Sequence, residues 1–149
     1  MRTSAAGSRR GRGFTLLELL IVVAIIAIAT AGVSFALRDS QATQLEREAQ
    51  RLAALLESAR AQSRSSGVPV RWHPVEGGFN FDGVTTDTLP QRWLVETTQV
   101  SGTGELLLGP DPIIGKQEVV LVSTALPGRS LRVATDGLRP FAVTSGDAQ

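Results

Sequence analysis

Gly13-Phe14-Thr15-Leu16-Leu17-Glu18 decides the fold of this chain, because of what lies on either side of it. Before it, Arg2, Arg9, Arg10 and Arg12 are the only charged residues. After it, residues 19–37 run for 19 positions without a charge. A helix over that run would rise about 28 Å at about 1.5 Å per residue, close to the roughly 30 Å hydrocarbon core of a bilayer. Glu18 stands at the start of the span. A carboxylate is costly there, so it reads as functional and requires a partner.

Spacing suggests the partner. Glu18 lies one helical turn after Phe14, on the same face. If the chain were cut between Gly13 and Phe14, the new α-amine would be cationic near neutral pH, with a typical pKa of about 8. In the uncut chain that nitrogen is a neutral amide. Cleavage would therefore create a counter-charge for Glu18, in the same helix or on a neighbouring chain. Two plainer readings compete. A secretory signal also has a basic region and an apolar run, and Ser34-Phe35-Ala36 resembles its cleavage site. Its apolar region is typically about 7–15 residues, shorter than the run here. A plain single-pass anchor explains the length but not Gly13 followed by Phe14 and Glu18.

The chain has 149 residues, 15 basic and 14 acidic. Residues 1–13 hold four of the basic ones, so the rest carries eleven basic against 14 acidic, a balance of −3. The positive charge therefore belongs to the leader, where it orients the span with the leader inside. A slightly acidic remainder is a poor general nucleic-acid binder. Outside the membrane, residues 38–149 are enough for one domain with its own core. There is no cysteine, so neither disulfides nor thiolate chemistry is available.

The helix is expected to continue beyond the membrane. Residues 39–66 are rich in Ala, Leu, Glu, Gln and Arg, with no Pro or Gly. Leu45, Ala49, Leu52, Ala53, Leu56 and Ala59 form one apolar stripe. Glu48 with Arg51 and Glu57 with Arg60 are i, i+3 pairs worth about a few tenths of a kcal/mol at most. Gly67 and Pro69 supply the stop. Thr43-Gln44-Leu45-Glu46 also fits a capping box, so a break near residues 39–43 stays open. After Gly67, strands are expected at 68–73, 78–82, 92–97, 105–108, 118–123, 131–134 and 141–144, separated by Gly-, Pro- and Asp-containing turns. They imply a mostly antiparallel sheet, or two small sheets, covered by the striped helix.

Little in the head points to chemistry. His73 is the only histidine and has no cysteine to share a metal with and no obvious triad, so a strand-end role is the plainer one. Asp82, Asp87, Asp111 and Asp136 lie in loops and are explained by turn chemistry. No loop has calcium-binding spacing, and Gly102-Thr103-Gly104 lacks the residues of a phosphate loop. Arg129, Arg132 and Arg139 are diluted by acids and read as a solvated face. Trp72, Phe79, Phe81, Trp93 and Phe141 read as core, with exposure of one or two at a subunit contact as the alternative. The expectation is a non-enzymatic protein with no metal and no cofactor.

Residues 13–22, Gly-Phe-Thr-Leu-Leu-Glu-Leu-Leu-Ile-Val, resemble the processing and N-terminal segment of type IV pilins and of the pseudopilins of type II secretion. The close match covers residues 12–37. The resemblance implies a leader (prepilin) peptidase that cuts after Gly13 and methylates the new amine on Phe14. It also implies that Glu18 serves subunit assembly. The fold implied is α+β and pilin-like: a long N-terminal helix, membrane-spanning in its first half and amphipathic in its second, packed on a mostly antiparallel β-sheet head. The domains implied are a cleaved leader over 1–13, a transmembrane and filament-core helix over 14–37, and a periplasmic head over 38–149, helical to about 66.

Residues 136–144, Asp-Gly-Leu-Arg-Pro-Phe-Ala-Val-Thr, are similar to the C-terminal segment of the type II secretion protein H family. Two residues separate Gly137 from Pro140, where that family more often has three. The helix over 45–66 and Gln91-Arg92-Trp93-Leu94 are also similar to it. This resemblance implies a minor pseudopilin in the inner membrane of a Gram-negative bacterium. It would sit near the tip of a periplasmic pseudopilus that helps export folded proteins across the outer membrane. The partners implied are other major and minor pseudopilins, the leader peptidase and the inner-membrane secretion platform. The alternative is a minor type IV pilin for pilus assembly or DNA uptake. DNA uptake would call for a basic stripe, yet residues 101–149 hold four basic against five acidic residues.

Overall fold

Residues 16–66 contain no proline and only one glycine, Gly32, and they form a single element, α1 (Leu16–Ser66). The computed structural model describes residues 14–84 and 89–146, apart from the side chains of 34–36 and 38. The chain divides into two compact units, Met1–Leu37 and Arg38–Gln149.

In the first unit, Leu16–Val33 is a window of 18 residues with mean hydropathy 2.7, and none of it is buried within the protein. A helix that is apolar on every side needs an apolar surrounding, which a membrane or a bundle of like helices supplies. By length and composition this window is able to cross a bilayer.

The second unit begins in the same element. Residues 39–43, where a break was open, are helical, and the Thr43 hydroxyl donates back to the Asp39 carbonyl at 2.9 Å. That bond takes the hydroxyl out of the capping role its sequence context offered. The stripe of Leu45, Ala49, Leu52, Ala53, Leu56 and Ala59 is buried throughout. α1 ends where Gly67 takes a positive φ of 71° and gives its N–H to the Ser63 carbonyl at 2.9 Å, the left-handed cap that glycine adopts without strain.

Seven strands follow: β1 (Arg71–Val75), β2 (Gly78–Asp82), β3 (Thr98–Ser101), β4 (Leu106–Leu107), β5 (Gln117–Ser123), β6 (Ser130–Thr135) and β7 (Ala142–Gly146). They make two antiparallel sheets, β2-β1-β4 and β3-β5-β6-β7. Val119 and Leu121 of β5 and Leu131 and Val133 of β6 are buried at alternate positions, so one face of the larger sheet is apolar. The smaller sheet contributes Trp72, Phe79, Phe81 and Leu106. All of these join the helix stripe in one core. Phe79 is its aromatic centre, 4.6 Å from Trp93 and 5.8 Å from Phe81 between ring centroids, both edge-on. The fold is therefore α+β and pilin-like, with a helix stripe buried against antiparallel sheets.

Three details depart from the sequence expectation. Residues 68–70 are not strand; β1 starts at Arg71, although the Val70 carbonyl still accepts the Leu108 N–H at 2.8 Å. Residues 92–97 form only an isolated bridge, Arg92 to Gly78, and the strand comes later as β3. The cause is side-chain capture of the loop by the helix, described below. Finally, β4 is only two residues long, and beside it the Gln117 amide accepts the Leu107 N–H at 2.7 Å and donates to the Leu107 carbonyl at 2.9 Å. A side chain thus fills the place where another strand would pair.

Candidate functional site

The first candidate site is the start of α1. Phe14 and Thr15 precede the helix, and Phe14 is 73% exposed. The Thr15 hydroxyl accepts the Glu18 N–H at 3.2 Å, and the Thr15 carbonyl accepts the N–H groups of Glu18 and Leu19 at 3.1 and 3.2 Å. Thr15 is thus the N-cap, and Glu18 the third helical residue, as in a capping box. Glu18 is exposed, and a carboxylate in the first turn is favoured by the positive end of the helix dipole. Gly13, the expected cleavage residue, lies outside the described residues.

The second lies on the head. The two Glu-x-x-Arg pairs of α1 begin nine residues apart. At about 100° per residue the second sits roughly half a turn round from the first, so the pairs flank the apolar stripe on opposite sides. Glu48 is 1% exposed, accepts the Arg51 guanidinium at 2.9 Å and accepts the Leu94 N–H at 2.7 Å. Arg51 also donates to the Arg92 carbonyl at 3.0 Å. On the other flank Glu57 accepts the Phe141 N–H at 3.0 Å. Buried Arg60 donates to the carbonyls of Gly137 at 2.9 Å and Pro112 at 3.2 Å, and its guanidinium lies 3.7 Å from Glu57. Each carboxylate takes a loop N–H and each guanidinium takes loop carbonyls. The pairs are therefore clamps between the helix and loops far away in sequence, not the local surface pairs their spacing suggested. The one sequence signal was the repetition of Glu-x-x-Arg at both edges of the stripe.

The loop held by the second clamp is tied at nearly every polar group. The Asp136 carboxylate accepts the N–H groups of Arg139 at 2.7 Å and Leu138 at 2.9 Å. These two bonds, Arg139's first, hold its pKa below the usual carboxylate value. The Thr135 hydroxyl accepts the Gly137 N–H at 2.9 Å and donates to the Arg139 carbonyl at 2.6 Å. Gly137 has φ 93°, and a Cβ there would stand 1.9 Å from the Ile114 carbonyl oxygen, so only glycine fits.

Among the remaining expected residues, His73 pairs with Asp82 at 3.3 Å on the β1–β2 hairpin. Arg132 and Arg139 pair with Glu118 and Asp136, at 3.4 and 3.7 Å, while Arg129 is exposed. Trp72, Phe79, Phe81 and Phe141 are buried and Trp93 is half-buried, as the core reading expected. Asp87 lies outside the described residues. Among the described residues no group of three or more His, Cys, Asp or Glu is placed to hold a metal ion.

The family model of the prokaryotic N-terminal methylation motif matches residues 8–34. That of the type II transport protein GspH matches residues 48–147. No curated protein and no solved structure matches the chain. The methylation motif and the apolar window coincide, so the protein is a single-pass, membrane-anchored subunit of the prepilin type. With the GspH model covering both sheets and the clamped half of α1, the chain belongs to the type II transport protein GspH family, the minor pseudopilins of type II secretion.

Proposed function

We propose that the chain is made with a basic leader over 1–13, which a prepilin peptidase removes after Gly13 before methylating the amine of Phe14. The observation that carries this reading is the start of α1. The methylation motif spans residues 8–34, and Phe14 and Thr15 lie ahead of the first helical turn. Phe14, which would carry the new amine, lies outside the helix. Cutting just before it exposes an amine one helical turn before Glu18. In a bilayer an unpartnered carboxylate is costly, and a neighbouring subunit's Phe14 amine offsets that cost as subunits gather. Glu18 is then the assembly residue and Phe14 the modified terminus.

The head, residues 38–149, lies in the periplasm. It acts by packing with other pseudopilins near the tip of the pseudopilus. The growing assembly rises from the inner-membrane platform and helps folded proteins cross the outer membrane. The family is one of structural subunits, and family membership implies contact with other pseudopilins. The reading as a pilin for DNA uptake is not favoured by the family match.

Mass spectrometry of the membrane-bound protein tests the processing step. The mature chain should begin at Phe14 and carry one N-methyl group. A mature chain beginning just before Arg38 would replace this reading with an ordinary secretory signal. Gly13→Leu should leave the leader in place, because a side chain there crowds the protease's approach to the backbone.

A further inference from the structure

The loop over 136–139 is tied down by hydrogen bonds yet carries an apolar side chain into solvent. Leu138, between Gly137 and Arg139, is 71% exposed. The backbone beneath it is fixed by Asp136, Thr135 and Arg60. A second exposed apolar residue stands close by. Arg60 Nη2 donates to both the Gly137 and Pro112 carbonyls, which are peptide-bonded to Leu138 and to Ile113, itself 67% exposed. Gly137 also packs on the Ile114 carbonyl. One buried arginine therefore sets the positions of two exposed aliphatic residues on neighbouring loops.

A single exposed leucine means little on any surface. Two on adjoining loops tied to one buried guanidinium are different, because part of the ordering cost that a contact normally imposes is already met in the free protein. Anchors of this kind fill apolar pockets at the centre of protein interfaces. The charged residues of the same loop, Arg139 and Asp136, face each other at 3.7 Å, and the Asp136 carboxylate is further engaged by two backbone N–H groups. The loop thus offers apolar contact with little net charge.

The geometry points to the Leu138–Ile113 pair as a preformed knob that inserts into an apolar pocket on the head of a neighbouring pseudopilin. This rests on the pseudopilin reading above and adds to it the surface through which one neighbour is held. Arg60 is its positioning residue, acting through the two carbonyls it binds.

The test uses the full chain in its native membrane with the rest of the secretion machinery. A photo-crosslinking p-benzoylphenylalanine replaces Leu138, or Arg129 on the β5–β6 turn as a control. The expected result is an adduct from Leu138 only, whose second component mass spectrometry identifies as another pseudopilin. Because the contact is apolar, high salt should leave the yield unchanged. Leu138→Asp should weaken co-purification of that partner by at least about thirtyfold, the size of a hot-spot loss, while Leu138→Met keeps it. Both variants should retain the wild-type melting temperature and the Phe14 terminus. Overturning results are no adduct from Leu138 in a chain that still co-purifies with pseudopilins, an adduct with some other protein, or normal co-purification of Leu138→Asp. Wild-type chain that co-purifies with no pseudopilin at all would instead overturn the function on which the proposal rests.

Discussion

Glu48 shows how far one residue's role can depart from its local setting. On the helix it is one turn from Arg51, a spacing worth about a few tenths of a kcal/mol on an exposed surface. In the fold it is buried and accepts the N–H of Leu94, 46 positions away. Removing it by Glu48→Ala leaves that part-buried N–H without its acceptor, at a cost of up to about 1–3 kcal/mol if water does not replace it. Arg51 is partly exposed and regains water, so little more is expected from its side of the pair. Urea denaturation of the head fragment 38–149 should therefore show a clear loss, with accelerated hydrogen exchange confined first to residues 92–94. An unchanged midpoint would mean that the clamp contributes nothing to stability. Glu48→Gln keeps an acceptor and should lie between. Leu52→Asp is the harsher comparison. It places an unpaired charge in the apolar stripe and should unfold the head, since such burial costs several kcal/mol. The stripe containing Leu52 was legible from the sequence because helical periodicity is local. The clamps were not, because their partners lie up to 84 positions away and no spacing rule reaches that far.

Among the elements, the same contrast decides which ones could be read. α1, β2, β5 and β6 fall where propensity, alternation and turn residues put them, because each is determined by its own residues. The segment 92–97 has good strand residues in Trp93, Leu94 and Val95, yet Glu48 and Arg51 take the backbone groups at Arg92 and Leu94 that a ladder would use. Tertiary capture overrides local preference, and pairing with β5 begins only at Thr98. The loop between β6 and β7 gives an element-scale prediction. Gly137→Ala forces an L-residue into φ 93° and a Cβ against the Ile114 carbonyl. The backbone strain alone is roughly 1–3 kcal/mol, before the clash. Hydrogen exchange at residues 137–141 should rise sharply and the melting temperature of the head should fall. Protection equal to wild type would show that the loop is not held as described. Acid should loosen the same loop by another route. The pKa of Asp136 is lowered in the fold from its ordinary 3.8, so its contribution is present above that value and fades as pH falls through the lowered one. Exchange at Leu138 and Arg139 should therefore increase only in strong acid, and Asp136→Asn should remove that pH dependence.

For the molecule as a whole, the two units differ in where their stability comes from. The head buries its own core and ties its loops to its own helix, so its fold needs no partner. The window Leu16–Val33 buries nothing within the chain and depends on what surrounds it. Its pattern of one acid before a long uncharged run was fully legible, because membrane length and charge position are properties of a single contiguous segment. What surrounds that window lies outside the chain, and its own residues do not name it. On the function proposed above, the Glu18 carboxylate is a cost to membrane insertion in the isolated subunit, and in the assembly it would meet a neighbour's Phe14 amine. Glu18→Leu should therefore enter the membrane at least as well as the parent chain, gaining up to about 2–3 kcal/mol if the residue sits deep in the bilayer and less near the interface. The leader should still be removed, since the bond before Phe14 is untouched, and the head should melt at the parental temperature, since α1 is altered only in the first unit. Recruitment into the pseudopilus should fail, because the amine of the adjoining subunit loses its counter-charge. Glu18→Asp, which retains the charge at shorter reach, should restore part of it. The checks are membrane fractionation, the terminal mass, co-purification of other pseudopilins and the amount of folded cargo released from cells. If Glu18→Leu supports normal co-purification and normal release, Glu18 is an interfacial residue with no part in assembly.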